Sequence, residues 1–336
     1  MKMLGLKSKP LAADKSDKIG RVLVFIYLAL FFCFLVLPLF ALMSKSMQNA
    51  EGIFVGLENF KVYLKDPALF KSFFHSLFVA FVSTVIVVCL GFLYAFALQC
   101  TCIPLKGFFR VVSLIPLLSP SILAAIALVY WFGNQGVFKE LLLGNSIYGP
   151  IGIIMASVYW TFPHALMILS TSLSLSDARL YEASDALKAS KLRTFFTVTI
   201  PGAKYGIIST TFVVFILVFT DFGVPKVIGG NYNVLATDIY REVVGMQNFQ
   251  MGAVISIVLL VPALLAFALD QFSRKRQASQ LTSRAVVYVP KPHKLRDNLL
   301  LCYCLLITAL VFLMLGMAQF GALVKFWPYN LSLTLN

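Results

Sequence analysis

The sequence predicts an all-α, polytopic membrane bundle built from a six-helix unit and a seventh span. Hydrophobic residues make up 60% of the 336 residues and charged residues only 12%, proportions outside those of soluble globular domains. Stretches of about 20 mostly apolar residues, each long enough to cross roughly 30 Å of hydrocarbon as a helix, recur along the chain. They lie near 21–43, 73–97, 108–132, 151–173, 205–222, 251–269 and 299–320.

Basic residues are divided unevenly between the segments that separate these spans. Of the 28 lysines and arginines, 20 fall in one set of alternate segments and 8 in the other. Because cytoplasmic segments of membrane proteins are enriched in Lys and Arg, the N-terminus is predicted to be cytoplasmic. The net charge of +14 is therefore a topology signal, with attraction to anionic lipid as a second contribution. It does not indicate binding to nucleic acid.

The sequence lacks the motifs that mark nucleotide-binding, catalytic and metal sites. No Gly-x-x-x-x-Gly-Lys-Ser/Thr phosphate loop occurs, so ATP would have to be bound by a partner. The spans contain neither paired Asp residues nor Gly-x-Ser-Gly/His or His-Glu-x-x-His arrangements, which argues against an intramembrane enzyme. The six cysteines have neither disulfide nor zinc spacing. We expect no catalytic residue, metal or cofactor.

The most informative segment is the predicted cytoplasmic loop between the fourth and fifth spans, residues 176–201, which is far longer than a pure connection needs. Ser176 or Asp177 can cap a helix here, and Pro201 can open the following helix because its fixed φ suits a first turn. One face of this short helix combines a carboxylate with small and apolar side chains, and basic residues surround it. The residues are Glu182, Ala183, Ala186 and Leu187, with Lys188, Lys191 and Arg193 at the rim. The pattern indicates a helix that the groove of a partner receives.

This loop resembles the EAA loop of binding-protein-dependent ABC permeases with the type I fold. The residues that match the family pattern in spacing are Glu182, Ala183, Val198, Ile200 and Pro201. Two positions depart from it: Ser184 replaces the usual second Ala, and Lys188 replaces the usual Gly. Because that Gly commonly permits a tight turn after the helix, Lys188 raises the question of whether the turn is kept.

Segments outside the loop resemble permeases of iron(III), polyamine and 2-aminoethylphosphonate importers. The stretches 221–225, 229–232 and 235–240 carry this resemblance, which extends over essentially the whole chain. Fused, double-length 2-aminoethylphosphonate permeases are the most similar, because their second unit begins with a segment like Trp327–Leu333. The tail also repeats the order of the N-terminus, with a basic stretch, one span and an aromatic outer loop, which indicates the start of a second unit. A seventh anchoring helix with no relatives is the alternative.

The resemblance implies the following division of the chain. Residues 1–20 form a basic cytoplasmic tail, 21–72 the first span and a periplasmic loop, 73–270 the permease transmembrane domain, 271–298 a basic cytoplasmic linker, and 299–336 the seventh span and the start of a second unit. The protein is then a multi-pass subunit of the bacterial inner membrane.

The implied partners are an ABC ATPase present in two copies, a second permease unit or a second copy of the chain, a periplasmic substrate-binding protein, and membrane lipid. Glu182 would make a polar contact with the ATPase, and Ala183 and Leu187 would pack in its cleft. Pro201 would fix the exit of the loop, and Lys188 would set its turn. The predicted cargo is 2-aminoethylphosphonate or a similar small solute, with iron(III) or a polyamine as alternatives.

The translocation path is less clearly marked. Pro116, Pro120 and Pro163 free backbone carbonyls that can line a cavity, although prolines also simply kink packed helices. His164 lies well inside a span, where an ionisable group is a functional candidate, while a hydrogen-bonded packing role is the alternative. An ion-coupled secondary transporter is the main rival function, and it would normally carry carboxylates near the midplane, where this sequence has none. A truncated double permease that folds without its second half is a further alternative.

Overall fold

The computed structural model describes residues 15–280, 286 and 288–334. Most of the predicted tail 1–20, part of the linker 271–298 and the last two residues lie outside this range. In the described part, regular structure is helical apart from one hairpin of β1 (Val324–Phe326) and β2 (Asn330–Leu333), which confirms the predicted all-α class. The helices are α1 (Lys15–Phe31), α2 (Leu37–Ser46), α3 (Glu58–Lys65), α4 (Pro67–Cys100), α5 (Lys106–Leu114), α6 (Ser121–Phe132), α7 (Pro150–Ser174), α8 (Ala178–Ala186), α9 (Lys191–Thr194), α10 (Ile200–Gly202), α11 (Lys204–Phe219), α12 (Gly223–Ile228), α13 (Leu235–Tyr240), α14 (Phe249–Gln280) and α15 (Lys294–Leu323).

Five of the predicted spans are single helices of membrane length. They are Ile19–Ser46, Pro67–Cys100, Pro150–Ser174, Phe249–Lys275 and Lys294–Leu323. The first of them runs through α1, a π turn at Phe32–Val36 and α2. The third and fifth predicted spans are instead pairs of shorter helices, bent by 99° and 64° respectively. The described residues therefore hold five spans, or seven if each bent pair crosses the membrane as one span.

The third predicted span, 108–132, is a helix pair with a break in the middle. Helix α5 runs into a 3₁₀ turn at Ile115–Leu118, and α6 begins only at Ser121. Between them Ser119 (ψ 143°) and Pro120 (ψ 152°) are extended. A proline lacks the N–H that an α-helix needs and pushes the residue before it out of the helical region, so Pro120 breaks the helix.

The core lies where α4 packs against α7 and α11, and α11 in turn packs against α14. Small residues allow these helices to approach closely, as is common between membrane helices. A Cβ added at Gly91 would lie 3.2 Å from Ala165 Cβ, and one added at Gly206 of α11 would overlap Ser172 of α7. The Tyr94 hydroxyl donates to the Phe109 carbonyl at 3.1 Å and fixes α5 against α4.

The first and last spans differ in what covers them. The most apolar window of Ile19–Ser46 has a mean hydropathy of 2.9 and is not buried against the rest of the chain, so lipid or a partner must cover it. Its end, α2, packs against α14. By contrast α15 packs against α4, α5 and α6, where the Tyr303 hydroxyl donates to the Leu90 carbonyl at 2.8 Å.

Candidate partner-docking site

Helix α8 is built by local capping. The Asp177 carboxylate accepts a hydrogen bond from the Arg179 backbone N–H at 3.1 Å, so Asp177 is the N-cap, one of the two residues that the sequence offered. The helix ends at Ala186. A second short helix, α9, starts after Ser190, whose Oγ accepts from the Arg193 N–H at 3.3 Å. Two capped helices thus form a helix–turn–helix between the fourth and fifth spans.

The turn between these helices is kept although it contains no glycine. Lys188 adopts a left-handed conformation with φ of 52°. Its N–H donates to the Asp185 carbonyl at 2.9 Å, and the Ala189 N–H donates to the Ser184 carbonyl at 3.1 Å. An L-residue pays roughly 1–2 kcal/mol in this conformation, which glycine would not. The turn geometry expected of the Gly position is therefore present at Lys188, with some strain.

Hydroxyl pairs hold the two halves of the loop together. Ser184 is buried, and its Oγ lies 2.7 Å from Thr194 Oγ1. One turn earlier, the Tyr181 hydroxyl donates to Thr199 Oγ1 at 3.1 Å. Buried hydroxyls are favourable only when paired, so Ser184, one of the two departures from the expected pattern, is compensated by Thr194. These contacts fix α8 on the helical segment that leads to α11.

The opposite face of α8 is exposed at Glu182, Ala183, Ala186, Leu187 and Lys188, and we call it the docking surface after the role that the sequence predicts for it. Leu187 is 82% exposed, although a leucine at a helix end could readily have been turned inward. Glu182 forms no hydrogen bond or ion pair with any residue that the structure describes. A small apolar patch beside an exposed carboxylate without a hydrogen-bond partner in the described residues is suited to insertion into a complementary groove.

Pro201 lies before the bend that precedes α11, rather than in the first turn of α11 itself. It occupies the first turn of α10, but α10 only continues the helical segment that begins at Lys191 and includes a π turn at Phe195–Thr199. The following helix, α11, begins at Lys204, after the 64° bend. Pro201 therefore lies just before the bend, where its missing N–H removes one backbone hydrogen bond.

The linker after the sixth span packs on this loop, which the sequence did not reveal. We call residues 286 and 288–291 of this linker the linker strap. The Val286 carbonyl accepts from the Ala178 N–H at 2.9 Å, and the ring of Tyr288 stacks on that of Tyr181. The apolar residues around Tyr288, within an otherwise basic linker, were the only signal of such packing.

Asp185 connects the strap to the turn by electrostatics. Its carboxylate forms ion pairs with Lys191 at 2.9 Å and with Lys291 of the strap at 3.0 Å. Hydrogen bonds from Lys191 and then Lys291 hold the pKa of the Asp185 carboxyl below its usual value. The pairs are solvent-exposed, so each is weak and screened by salt.

The four residues predicted for the translocation path lie in the 3₁₀ turn, at the start of α6 and on α7, and the turn packs against α7. Pro116 is buried in the 3₁₀ turn, Pro120 is exposed at the start of α6, and Pro163 is buried inside an unbroken α7. His164 is half-buried, with its ring edge-on to Trp160 at a centroid distance of 5.7 Å. An open cavity of about 460 Å³ lies at the ends of α4 and α7 and is lined in part by Arg110 of α5. The only trace of this cavity in the sequence was a charged residue, Arg110, as the third residue of the predicted third span.

Comparison with known proteins identifies the family. The ferric transport system permease protein FbpB of Actinobacillus pleuropneumoniae is 29% identical over 279 residues, which cover 79% of this chain and 40% of that protein. The spermidine/putrescine permease PotB of Escherichia coli K12 is 27% identical over 59% of this chain and 75% of its own length. The chain thus spans less than half of the ferric permease that it matches.

A solved bacterial alginate ABC transporter, in complex with an alginate pentasaccharide-bound periplasmic protein, has the same fold. Its TM-score is 0.59 at 14% identity, with 81% of this chain and 98% of that one covered. Residues 103–279, more than half of the chain, match the family described as "Binding-protein-dependent transport system inner membrane component". The family is one of transport permeases and not of enzymes, as the sequence predicts. This chain therefore belongs to the binding-protein-dependent transport system inner membrane components, as a multi-pass membrane protein.

Proposed function

We propose that this chain is the permease subunit of an ATP-driven ABC importer of the bacterial inner membrane, with a cytoplasmic N-terminus. It would form part of the solute path and couple to a separate ATPase through the loop 176–201. The observation that carries the proposal is the docking surface, an exposed apolar and acidic helix face that the rest of the loop holds in place. The sequence has no phosphate-binding loop of its own, so the ATPase is a partner.

The contacts of the loop suggest how force would pass from the ATPase to the spans. Glu182, Ala183 and Leu187 would sit in a cleft of the ATPase, which moves when the ATPase dimer closes. Helix α8 is tied to residues 194 and 199 by hydroxyl pairs, and this segment continues through the bend into α11. Because α11 packs on α4, α7 and α14, displacing α8 would shift three spans together. Packed helices of this kind switch between discrete arrangements, which inward-open and outward-open states require.

A second permease unit, or a second copy of the chain, would complete the path, with one ATPase for each unit. We propose that residues 299–336 begin such a unit. We also propose that the chain is divided after residues 20, 72, 270 and 298 into a tail, the first span with its loop, the transmembrane domain, a linker and this start of a second unit. The exposed first span supports a partner on that side, since its apolar surface needs lipid or another helix. A periplasmic substrate-binding protein is the further partner, by analogy with the alginate transporter.

The cargo that we propose is 2-aminoethylphosphonate or a similar small solute, because Trp327–Leu333 resembles the start of the second unit in fused permeases for that compound. Iron(III) and polyamines are the alternatives, and the relatives FbpB and PotB are named for ferric ion and for spermidine and putrescine. An ion-coupled secondary transporter is disfavoured by the family match.

Uptake assays test the proposal. Cells that express the complete transporter would be given labelled 2-aminoethylphosphonate, ferric ion or spermidine, with and without the cognate ATPase gene. We expect accumulation of the phosphonate that is abolished when the ATPase is deleted. Undiminished accumulation without the ATPase would refute ATP-driven import, and accumulation of spermidine or iron alone would refute the cargo.

A further inference from the structure

The strongest unassigned feature of the molecule is an open cavity, part polar and part apolar, between the ends of α4 and α7 and helix α5. Its volume of about 460 Å³ falls in the range typical of small-molecule sites. Its polar lining comes from all three helices and consists of Gln99, Arg110, Ser170, Thr171 and Ser174. Its apolar lining consists of Leu114, Leu166 and Met167. All three helix segments lie at the cytoplasmic end of the bundle in the predicted topology.

The lining offers hydrogen-bond donors and a positive charge but no carboxylate. Arg110 is exposed, and it forms no ion pair with any acidic residue that the structure describes. The Ser170 Oγ is buried and has no hydrogen-bond partner among the described residues. A guanidinium is a planar fork that matches the paired oxygens of phosphonate, phosphate or carboxylate, and a hydroxyl beside it can donate to a third oxygen. The cavity is therefore suited to an oxyanion and repels cations.

A continuous face of α7 connects this cavity with the middle of the membrane. Residues 160, 164, 167, 171 and 174 recur at alternating spacings of four and three, so they share one face of the helix. This face is half-buried at Trp160 and His164 and exposed at Met167, Thr171 and Ser174. The other side, with Phe162, Leu166, Leu169 and Leu173, is buried in the core. The face of α7 that the chain's own helices leave uncovered therefore leads into the cavity beside Arg110.

We propose that this cavity is the cytoplasmic exit site for an oxyanionic solute, with Arg110 as the anion-binding residue and Ser170, Thr171 and Gln99 as hydrogen-bonding residues. The inference rests on the proposed importer function and specifies its cargo class. It favours phosphonate or a similar anion, because a ferric ion or a polyamine would meet an uncompensated guanidinium on its way out. A phospholipid headgroup has the same oxyanion chemistry, so the experiment must separate a soluble solute from lipid.

Direct binding to the purified full chain tests the site without the ATPase. We would measure equilibrium binding of labelled 2-aminoethylphosphonate and of inorganic phosphate in a phospholipid-free maltoside detergent. Arg110→Gln should weaken binding by about tenfold or more, since it removes a charge-assisted hydrogen-bond pair. The affinity of Arg110→Lys should lie between those of the wild type and Arg110→Gln, and Ser170→Ala should weaken binding several-fold. Lys106→Gln is the matched control, because it removes one positive charge from the same helix outside the cavity, and it should bind like the wild type within about twofold.

Competition on the unmodified chain keeps the test independent of how the variants fold. Unlabelled phosphonate should displace the probe, whereas spermidine should not. Native mass spectrometry of the same samples reports retained phospholipid. The proposal is overturned if neither anion binds at millimolar concentration, if Arg110→Gln binds as tightly as Lys106→Gln, or if Arg110 governs lipid retention but not probe binding. ATPase coupling through the loop 176–201 could survive any of these results, so failure here is separable from failure of the importer function.

Discussion

The phenol ring of Tyr288 stacks on that of Tyr181, with centroids 4.0 Å apart and planes inclined by 25°. Tyr181 belongs to the helix that presents the docking surface, whereas Tyr288 belongs to the linker that joins the sixth and seventh spans. The stack is supported by the Val286 carbonyl, which accepts from the Ala178 N–H at 2.9 Å. The docking loop is thus held from two sides, by residues 194–199 and by the linker strap.

Tyr288→Ala should loosen α8 without unfolding the bundle. The ring pair contributes about 0.5–1.5 kcal/mol, so amide hydrogens of residues 178–187 should exchange several-fold faster. Hydrogen exchange with mass spectrometry measures this. Tyr288→Phe keeps the stack and should exchange like the wild type, and Val289→Ala, at a neighbouring side chain that is 78% exposed, is the second control. Equal exchange in Tyr288→Ala and Val289→Ala would contradict the role of the stack.

The ion pairs of Asp185 should make the strap's attachment sensitive to salt but not to pH in the physiological range. Its folded pKa lies below the usual value of about 3.9, so this stabilisation is complete above that value and is lost only as the pH falls through the lowered pKa. Exchange of residues 178–187 should therefore show no Asp185-dependent change between pH 6 and 8. Asp185→Asn should exchange faster than the wild type in low salt, and about 0.5 M salt should remove the difference. A difference that persists in high salt would be inconsistent with this assignment.

Lys188→Gly should stabilise the turn after α8. Glycine adopts the φ of 52° without the penalty of roughly 1–2 kcal/mol that a side chain pays, although its greater freedom in the unfolded chain offsets part of the gain. We expect slower amide exchange at residues 187–190, corresponding to a gain of about 0.5–1 kcal/mol. Lys188→Ala removes the same charge but keeps a Cβ, so it should show no such gain. Equal protection in the two variants would mean that backbone strain at this position is unimportant.

Gly206→Ala should disturb the junction between the loop and the spans. A Cβ at this position would overlap Cβ and Oγ of Ser172, so α11 must move away from α7. Overpacking of this kind costs about 1–3 kcal/mol, more than the helix propensity of Ala returns. Gly202→Ala is the matched control, because nothing lies within 4 Å of an added Cβ there. We expect a lower midpoint of thermal denaturation in detergent for Gly206→Ala only, and equal midpoints would contradict the close approach.

Several features of the fold could be predicted because they depend on local sequence. Hydropathy and length marked the spans, and the cap at Asp177 follows from side-chain chemistry within three residues. The exposed positions of Glu182 and Leu187 follow from the helical period of α8. The bend of the third span also had a local signal in Pro116 and Pro120, because a proline removes a backbone hydrogen bond from a helix.

Other features depend on contacts between distant segments and leave little trace in a local pattern. The pair of Asp185 and Lys291 joins residues 106 positions apart, so periodicity could not reveal it. The cavity with Arg110 forms only where α4, α5 and α7 meet, and each helix contributes one or a few polar residues to it. Prolines, by contrast, are conspicuous in sequence but say nothing about which side of a helix faces a cavity, so the predicted path residues stay a prediction.

The proposed coupling of the permease to its ATPase through Glu182 can be tested directly. The measurement is ATP hydrolysis by the reconstituted complete transporter, stimulated by solute-loaded binding protein, in wild type and Glu182→Lys. Reversing a charge at a partner interface costs several kcal/mol, so stimulation and uptake should fall by more than about tenfold while membrane insertion is unchanged. Glu58→Lys, the same reversal on the exposed face of α3, should keep most of the activity. Wild-type stimulation and uptake in Glu182→Lys would contradict the claim that this loop couples the permease to its ATPase.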